Sequence, residues 1–210
     1  MKNQKIYHYN FYDILRASST SPFFPEFLLS KDKARPDITF RECDFSFKKE
    51  NMEEHGLGFN LKGWGGNGKL YIELRKFSIT FWKLLLADLK KETKVLFKKN
   101  KSFMFIPTGI KRFYNVEPLV NQLILLVKLL QRDHTLVHAG CVSRDGEAWL
   151  WPAMDDVGKS TTTRYFMKKG FVPLSDDVVI LSKEGHVYPL YAQEDIKEIV
   201  SKQPISSKIS

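Results

Sequence analysis

A short apolar run, Ala148-Trp149-Leu150-Trp151, leads through Ala153-Met154-Asp155-Asp156-Val157-Gly158 into Lys159-Ser160-Thr161, and the next stop signal is Gly170. This order predicts a buried strand, a tight loop, and a helix over about residues 159–169 closed by glycine in the left-handed conformation. The loop follows the Walker A pattern G-x-x-x-x-G-K-[ST], with Ala153 in place of the first glycine. Loop N–H groups and the positive end of the helix then converge on one point that suits an anion. Lys159 can reach a phosphate there, and the Ser160 hydroxyl can ligate Mg²⁺. A phosphate cradle ordinarily uses several glycines, whereas this loop keeps only Gly158. Aspartate tolerates the left-handed region better than most residues, so Asp155 and Asp156 can keep the loop's path with their carboxylates in solvent. Turned inward, they would repel phosphate.

The rest of the chain shows two regimes. Residues 1–115 alternate β-like stretches (38–40, 58–61, 70–74) with polar turns, and residues 79–97 read as a helix. Residues 116–210 form the second region. Glu117-Pro118 starts a helix whose apolar residues lie nearly all round over 120–130, which predicts burial where the two regions meet. A strand at 135–142, a turn at Arg144-Asp145-Gly146, the 148–151 strand, the loop and helix, and strands around 171–174, 178–181 and 187–190 follow. The fold class expected is α/β, a β-rich N-terminal part packed on a mixed-sheet core. The pattern Gly63-Trp64-Gly65-Gly66-Asn67-Gly68 opens no helix, and a hairpin turn explains it better than a dinucleotide loop.

Charge narrows the partners. The chain carries +9, with 33 Lys or Arg against 24 Asp or Glu. Residues 135–210 hold nine of the basic and ten of the acidic residues, leaving 24 and 14 for the first 134 residues. The basic excess therefore lies wholly in the first part, much of it in Lys90, Lys91, Lys94, Lys98, Lys99 and Lys101. Helical spacing would make that cluster a solvated face, which argues against a nucleic-acid partner. The N-terminus lacks the apolar segment of a signal peptide, and the most apolar run, 123–127, is cut by Lys128, so a cytoplasmic chain with no membrane partner is expected. Cys43 and Cys141 are too few for a disulfide framework or zinc site and read as two buried thiols.

Asp176 and Asp177 follow an apolar segment and precede a strand, where adjacent carboxylates are costly to bury without a cation. Mg²⁺ would remove that cost, and neighbours entering a strand diverge, so one carboxylate can hold the metal while the other faces an acceptor hydroxyl. Lysine partners in a polar turn are the plainer alternative. His138 sits mid-strand, and the hairpin after it would set that strand beside the one feeding the loop, within reach of the same site.

Leu136-Val137-His138-Ala139-Gly140, the loop before Lys159-Ser160, then Gly170-Phe171 and Leu174-Ser175-Asp176-Asp177 together resemble the catalytic domain of HPr kinase/phosphorylase. The likeness covers roughly residues 135–190 and includes the His-to-loop and Lys-to-Asp-Asp spacings. It implies a P-loop core similar to that of phosphoenolpyruvate carboxykinases, ATP and Mg²⁺ as cofactors, and phosphoryl transfer to a serine or other hydroxyl of a protein or small molecule. Carried over by position, Ala153, Met154, Asp155, Asp156, Val157, Gly158, Lys159, Ser160 and Thr161 would bind the nucleotide. Ser160 and Asp177 would hold Mg²⁺, and Asp176 would be the catalytic base oriented near His138. The division between Asp176 and Asp177 stays open. The chain departs from the family in its first loop glycine and in ending about twenty residues after Pro189, so the other reading is a catalytically inactive nucleotide-binding regulatory module with a basic interaction surface. Either is compatible with an oligomer.

Overall fold

A computed structural model describes residues 5–48, 53–58, 61–66, 69–76, 79–87, 92–99, 117–154, 156–192, 194–200 and 207–209 of the 210-residue chain. The chain divides into two compact units, Met1–Phe24 with Leu28–Gln122 and Pro25–Phe27 with Leu123–Ser210. Both are built on mixed sheets, so the chain is α/β and rich in strands.

The first unit holds β1 (Tyr7–Phe11), β2 (Leu15–Ser19), β3 (Ile38–Glu42), β4 (Glu53–Gly58), β5 (Leu61–Gly66), β6 (Lys69–Lys76), β7 (Ile79–Ala87) and β8 (Thr93–Lys99). They form one sheet in the order β1-β2-β3-β8-β7-β6-β5-β4. The pairs β2–β3 and β3–β8 are parallel and the others antiparallel. Aromatic rings fill the core, with Phe24 meeting Tyr9 and Phe11 edge to face at 5.2 and 5.0 Å.

Several expectations fail in this unit. Residues 79–87 and 93–97 are not helical but lie in the antiparallel pair β7–β8, and 88–91 fall outside the described residues. Thr93, Val95 and Phe97 are buried while Lys94 is exposed, a period of two. Lys94, Lys98 and Lys99 of the lysine cluster therefore lie on a strand and not on a helical face; Lys90, Lys91 and Lys101 fall outside the described residues. Gly58 ends β4 and Leu61 begins β5, so 58–61 spans two strands. The glycine tract runs inside β5 up to Gly66, which pairs with Lys69 to close a hairpin; Asn67 and Gly68 lie outside the described residues. Cys43 is only half-buried, whereas Cys141 is buried as expected.

Helix α1 (Glu117–Leu130) begins where Glu117-Pro118 predicts. It is not buried all round. Leu123, Val127 and Leu130 are exposed, while Asn121 and Lys128 are buried beside Ile124, Leu125 and Leu129. Apolar side chains on every face of a helix do not fix which stripe is covered.

The second unit is organised on β9 (His134–Arg144). Asp145 and Gly146 take positive φ of 54° and 86° and turn the chain into β10 (Glu147–Pro152), which pairs along one edge of β9 from Arg144↔Glu147 to Ala139↔Pro152. Helix α2 (Lys159–Lys168) follows the loop. It ends with Phe171 N–H donating to Phe166 O and Gly170 N–H to Met167 O, Gly170 having φ 86°. The rings of Phe166 and Phe171 meet at 5.1 Å, the contact that accompanies this cap.

Strands β11 (Val172–Ser175) and β12 (Val178–Ser182) then run one after the other along the opposite edge of β9. β13 (His186–Tyr191) pairs with β12, helix α3 (Glu194–Val200) follows, and β14 (Ser207–Ile209) bridges β13 and β10. Strands β9, β10, β14, β13 and β12 thus pair in a closed ring. Cys141, Ala148, Leu174, Val179 and Val187 form its apolar core. Burial there pushes the Cys141 thiol up to about 12.

Candidate functional site

The change of partner along β9 creates the site. Its far edge pairs with β11 as far as Cys141↔Ser175 and with β12 from His138↔Val178. Between these registered pairs lie two residues, Asp176 and Asp177. The ladder is not broken, because Ala139 N–H donates to Asp177 O at 2.8 Å. On the near edge, Ala153 N–H donates to His138 O at 3.2 Å, so β10 releases the chain into the loop directly beside His138. Strand alternation explains why one residue of β9 lies between the loop and the acid turn.

A cavity of about 490 Å³ opens at this point. Its lining comes from three separate segments: His138 of β9; Asp156, Gly158, Lys159, Ser160 and Thr161 from the loop and first turn of α2; and the Asp176-Asp177 turn. Gly158, with φ 93° and ψ 19°, precedes the helix in a left-handed conformation that glycine adopts without strain. Asp156 also takes positive φ, 62°, as expected of an aspartate standing for a loop glycine. It is exposed and lines the cavity.

Lys159 is 7% exposed, and its Nζ donates to Ala153 O at 3.2 Å and Met154 O at 2.6 Å. The loop is therefore wrapped round its own lysine. Asp176 is 3% exposed, a buried carboxylate in a cavity that also holds a lysine. Asp177 is half exposed, and its Oδ1 lies 3.3 Å from His138 Nε2. The histidine thus meets Asp177, while both carboxylates face the cavity. Hydroxyl and carboxylate oxygens are the donors Mg²⁺ prefers, and that ion usually takes only one or two protein carboxylates beside phosphate and water. Ser160 and either aspartate fit this requirement; among the described residues no three His, Cys, Asp or Glu side chains converge into a fuller metal cage.

No family model, curated protein or solved structure matches this chain. Its site stands on its own geometry.

Eight of the sequence-predicted residues line one cavity. Ala153 and Met154 contribute carbonyls to Lys159, Met154 and Val157 turn outward with 81% and 63% exposure, and Asp155 lies outside the described residues. Two supporting residues were missed. Gly140 faces Trp151 across the β9–β10 pair, and a Cβ there would come within 2.0 Å of the indole nitrogen. Trp151 in turn stacks on Phe166 of α2 at 5.5 Å, so Gly140 lets the helix lie close to the sheet. Ser175 anchors the acid turn; a serine directly before two aspartates was the available signal. Among the described residues no helix is long and apolar enough to cross a membrane.

Proposed function

We propose that this site binds the polyphosphate of Mg-ATP and transfers the γ-phosphoryl group to a hydroxyl of a protein or small molecule, in the manner implied by the resemblance to HPr kinase/phosphorylase. The observation that carries the reading is the single cavity lined by His138, the first turn of α2 with Lys159 and Ser160, and the Asp176-Asp177 turn. Its volume of about 490 Å³ lies within the usual range for a small-ligand site.

In this reading an incoming phosphate takes the Lys159 ammonium from the carbonyls of Ala153 and Met154 and receives N–H groups at the start of α2, which have no acceptor one turn back within the helix. Ser160 and one aspartate hold Mg²⁺, which when bound neutralises charge on the phosphates. The other aspartate accepts the proton of the acceptor hydroxyl. The hydroxyl oxygen forms the new bond to the γ-phosphorus as the bond to the β–γ bridging oxygen breaks, and ADP leaves. The resemblance makes Asp176 the base and Asp177 the metal ligand. The 3.3 Å approach of His138 to Asp177 and the burial of Asp176 fit either division.

Two variants separate these divisions. Asp176→Asn and Asp177→Asn are assayed for Mg-ATP affinity by calorimetry and for transfer from γ-labelled ATP to acceptors in native extract. The base variant loses transfer and keeps Mg-ATP affinity; the metal variant loses the Mg²⁺-dependent part of that affinity. Lack of ATP binding by the wild-type chain, with and without Mg²⁺, would end the proposal. The second reading, a nucleotide-binding module without turnover, is favoured by Asp156, an acidic residue in the lining of the cavity. It requires ATP binding that Lys159→Ala weakens and no labelled acceptor.

A further inference from the structure

We infer that Ser175 is a positioning residue for the acid turn, setting the direction of the Asp177 carboxylate and thereby the contribution of Mg²⁺ to nucleotide affinity. The inference rests on the reading of the cavity as a Mg-nucleotide site in which Asp177 holds the ion.

Ser175 is the last residue of β11 and fully buried. Its Oγ accepts a hydrogen bond from Asp177 N–H at 3.0 Å and donates to Tyr191 O at 2.6 Å. Val178 O also lies in range at 3.3 Å, but a hydroxyl has one proton, and the shorter contact takes it. One oxygen therefore ties together the end of β11, the acid turn and the end of β13. The need for it is visible in the ladders. Register shifts fall between Pro173 and Ser175 against β9, and between Val178 and Val179 against β13. At such irregularities backbone groups lose their ladder partners and require others.

With Ala139 N–H bonded to Asp177 O on the other side, both peptide groups of Asp177 are held. The side chain then has only its own torsions to choose, and it points its Oδ1 toward His138 Nε2. Of these two anchors, Ser175 acts through its side chain and can therefore be removed by substitution.

Ser182 supplies a matched control. It closes the opposite end of β12, is 5% exposed, and its Oγ accepts from Glu184 N–H at 3.2 Å and His186 N–H at 3.1 Å. Neither it nor the turn it anchors lines the cavity.

The test uses the full chain with Ser175→Ala, the milder Ser175→Cys, and Ser182→Ala. ATP dissociation constants are measured by calorimetry in Mg²⁺ and in EDTA, alongside thermal melting. Groups that orient metal ligands typically change metal affinity 10–100-fold, so Ser175→Ala should cut the affinity gain from Mg²⁺ by roughly 10-fold while leaving the EDTA value within about twofold. Ser175→Cys should fall between it and wild type, and Ser182→Ala should lower the melting temperature while keeping the full Mg²⁺ gain. An undiminished Mg²⁺ gain in Ser175→Ala, or an equal loss in Ser182→Ala, would overturn the positioning role alone. Absence of ATP binding by wild type under both conditions would remove this inference together with the proposed function.

Discussion

At one end of β12, the Ser175 hydroxyl holds a turn with two aspartates; at the other, the Ser182 hydroxyl holds a turn with Lys183 and Glu184. Both serines are buried, and both accept N–H groups two residues on. The surroundings differ. Beyond Ser182, Lys183 Nζ meets Asp133 Oδ2 at 2.5 Å in open solvent, and this pairing holds the Asp133 carboxyl below its ordinary range. Beyond Ser175, the carboxylates face a cavity shared with Lys159 and His138, and Asp176 is 3% exposed. An identical local device yields an ordinary surface turn or a candidate reaction centre according to what β9 and the neighbouring loop bring opposite it. The turn chemistry is local, and the function is supplied by the sheet.

The largest expected effect would strike both ends together. Leu174 belongs to the ring's core, and Leu174→Ala should cost about 2–5 kcal/mol in denaturant unfolding. The native wild type should show one readily modified thiol, Cys43, whereas Leu174→Ala should also open Cys141; equal labelling of both thiols in native wild type would refute a closed core. Next, Lys159→Ala should weaken ATP binding by roughly 100-fold, the scale of a lost charge-assisted contact of about 3 kcal/mol, with no change in labelling of the Ser182 turn by hydrogen exchange. A retained affinity would show that the two turns are functionally alike after all.

Smaller and opposite in sign is Asp156→Gly. A carboxylate about 4 Å from a phosphate in water opposes it by about 1 kcal/mol, so removing this one should tighten ATP binding by roughly fivefold, measured at low salt. No gain would mean that the carboxylate points away from bound anion. The smallest effect is expected at the control end. Lys183→Ala should leave ATP affinity and melting temperature at pH 7 unchanged, because both partners of its ion pair lie in solvent. Since Asp133 is depressed, whatever the pair contributes is present at neutral pH and is lost as pH falls through the acidic range below the ordinary carboxylate value. A wild-type advantage at pH 7 that vanishes at pH 3 would assign the pair more than a surface role.

Much of the second unit was legible because its signals are local. Asp145-Gly146 demanded a hairpin, Gly158 and Gly170 bounded a helix, and the spacing of His138 from the loop allowed one strand to pass between two neighbours. What sequence could not display was that Asp177 continues the β9 ladder through its carbonyl, since that depends on a pairing between distant segments. Nor did it show that His138 meets Asp177, because adjacent side chains diverge in directions set by the bulges on either side.

The first unit was misread where apolar residues occupy both faces of a pair. Leu84, Leu85 and Leu86 run together, and Leu85 pairs with Leu96 on the face opposite the buried Leu84 and Phe97. That outer apolar pair hides the alternation by two and leaves a pattern that reads as helical.

The exchange of partners along β9 also orders the events by which the unit can assemble. The β9–β10 hairpin closes over two residues, and such hairpins form on the order of microseconds. His138 and its partner Val178 are forty residues apart, so the β9–β12 pairing that carries Asp177 into place must first close a long loop against chain entropy. The loop and helix can exist before that step, but the full cavity cannot. Recovery of ligand binding during refolding should therefore track the slowest pairing of the unit, making the site a clock for the completion of its fold.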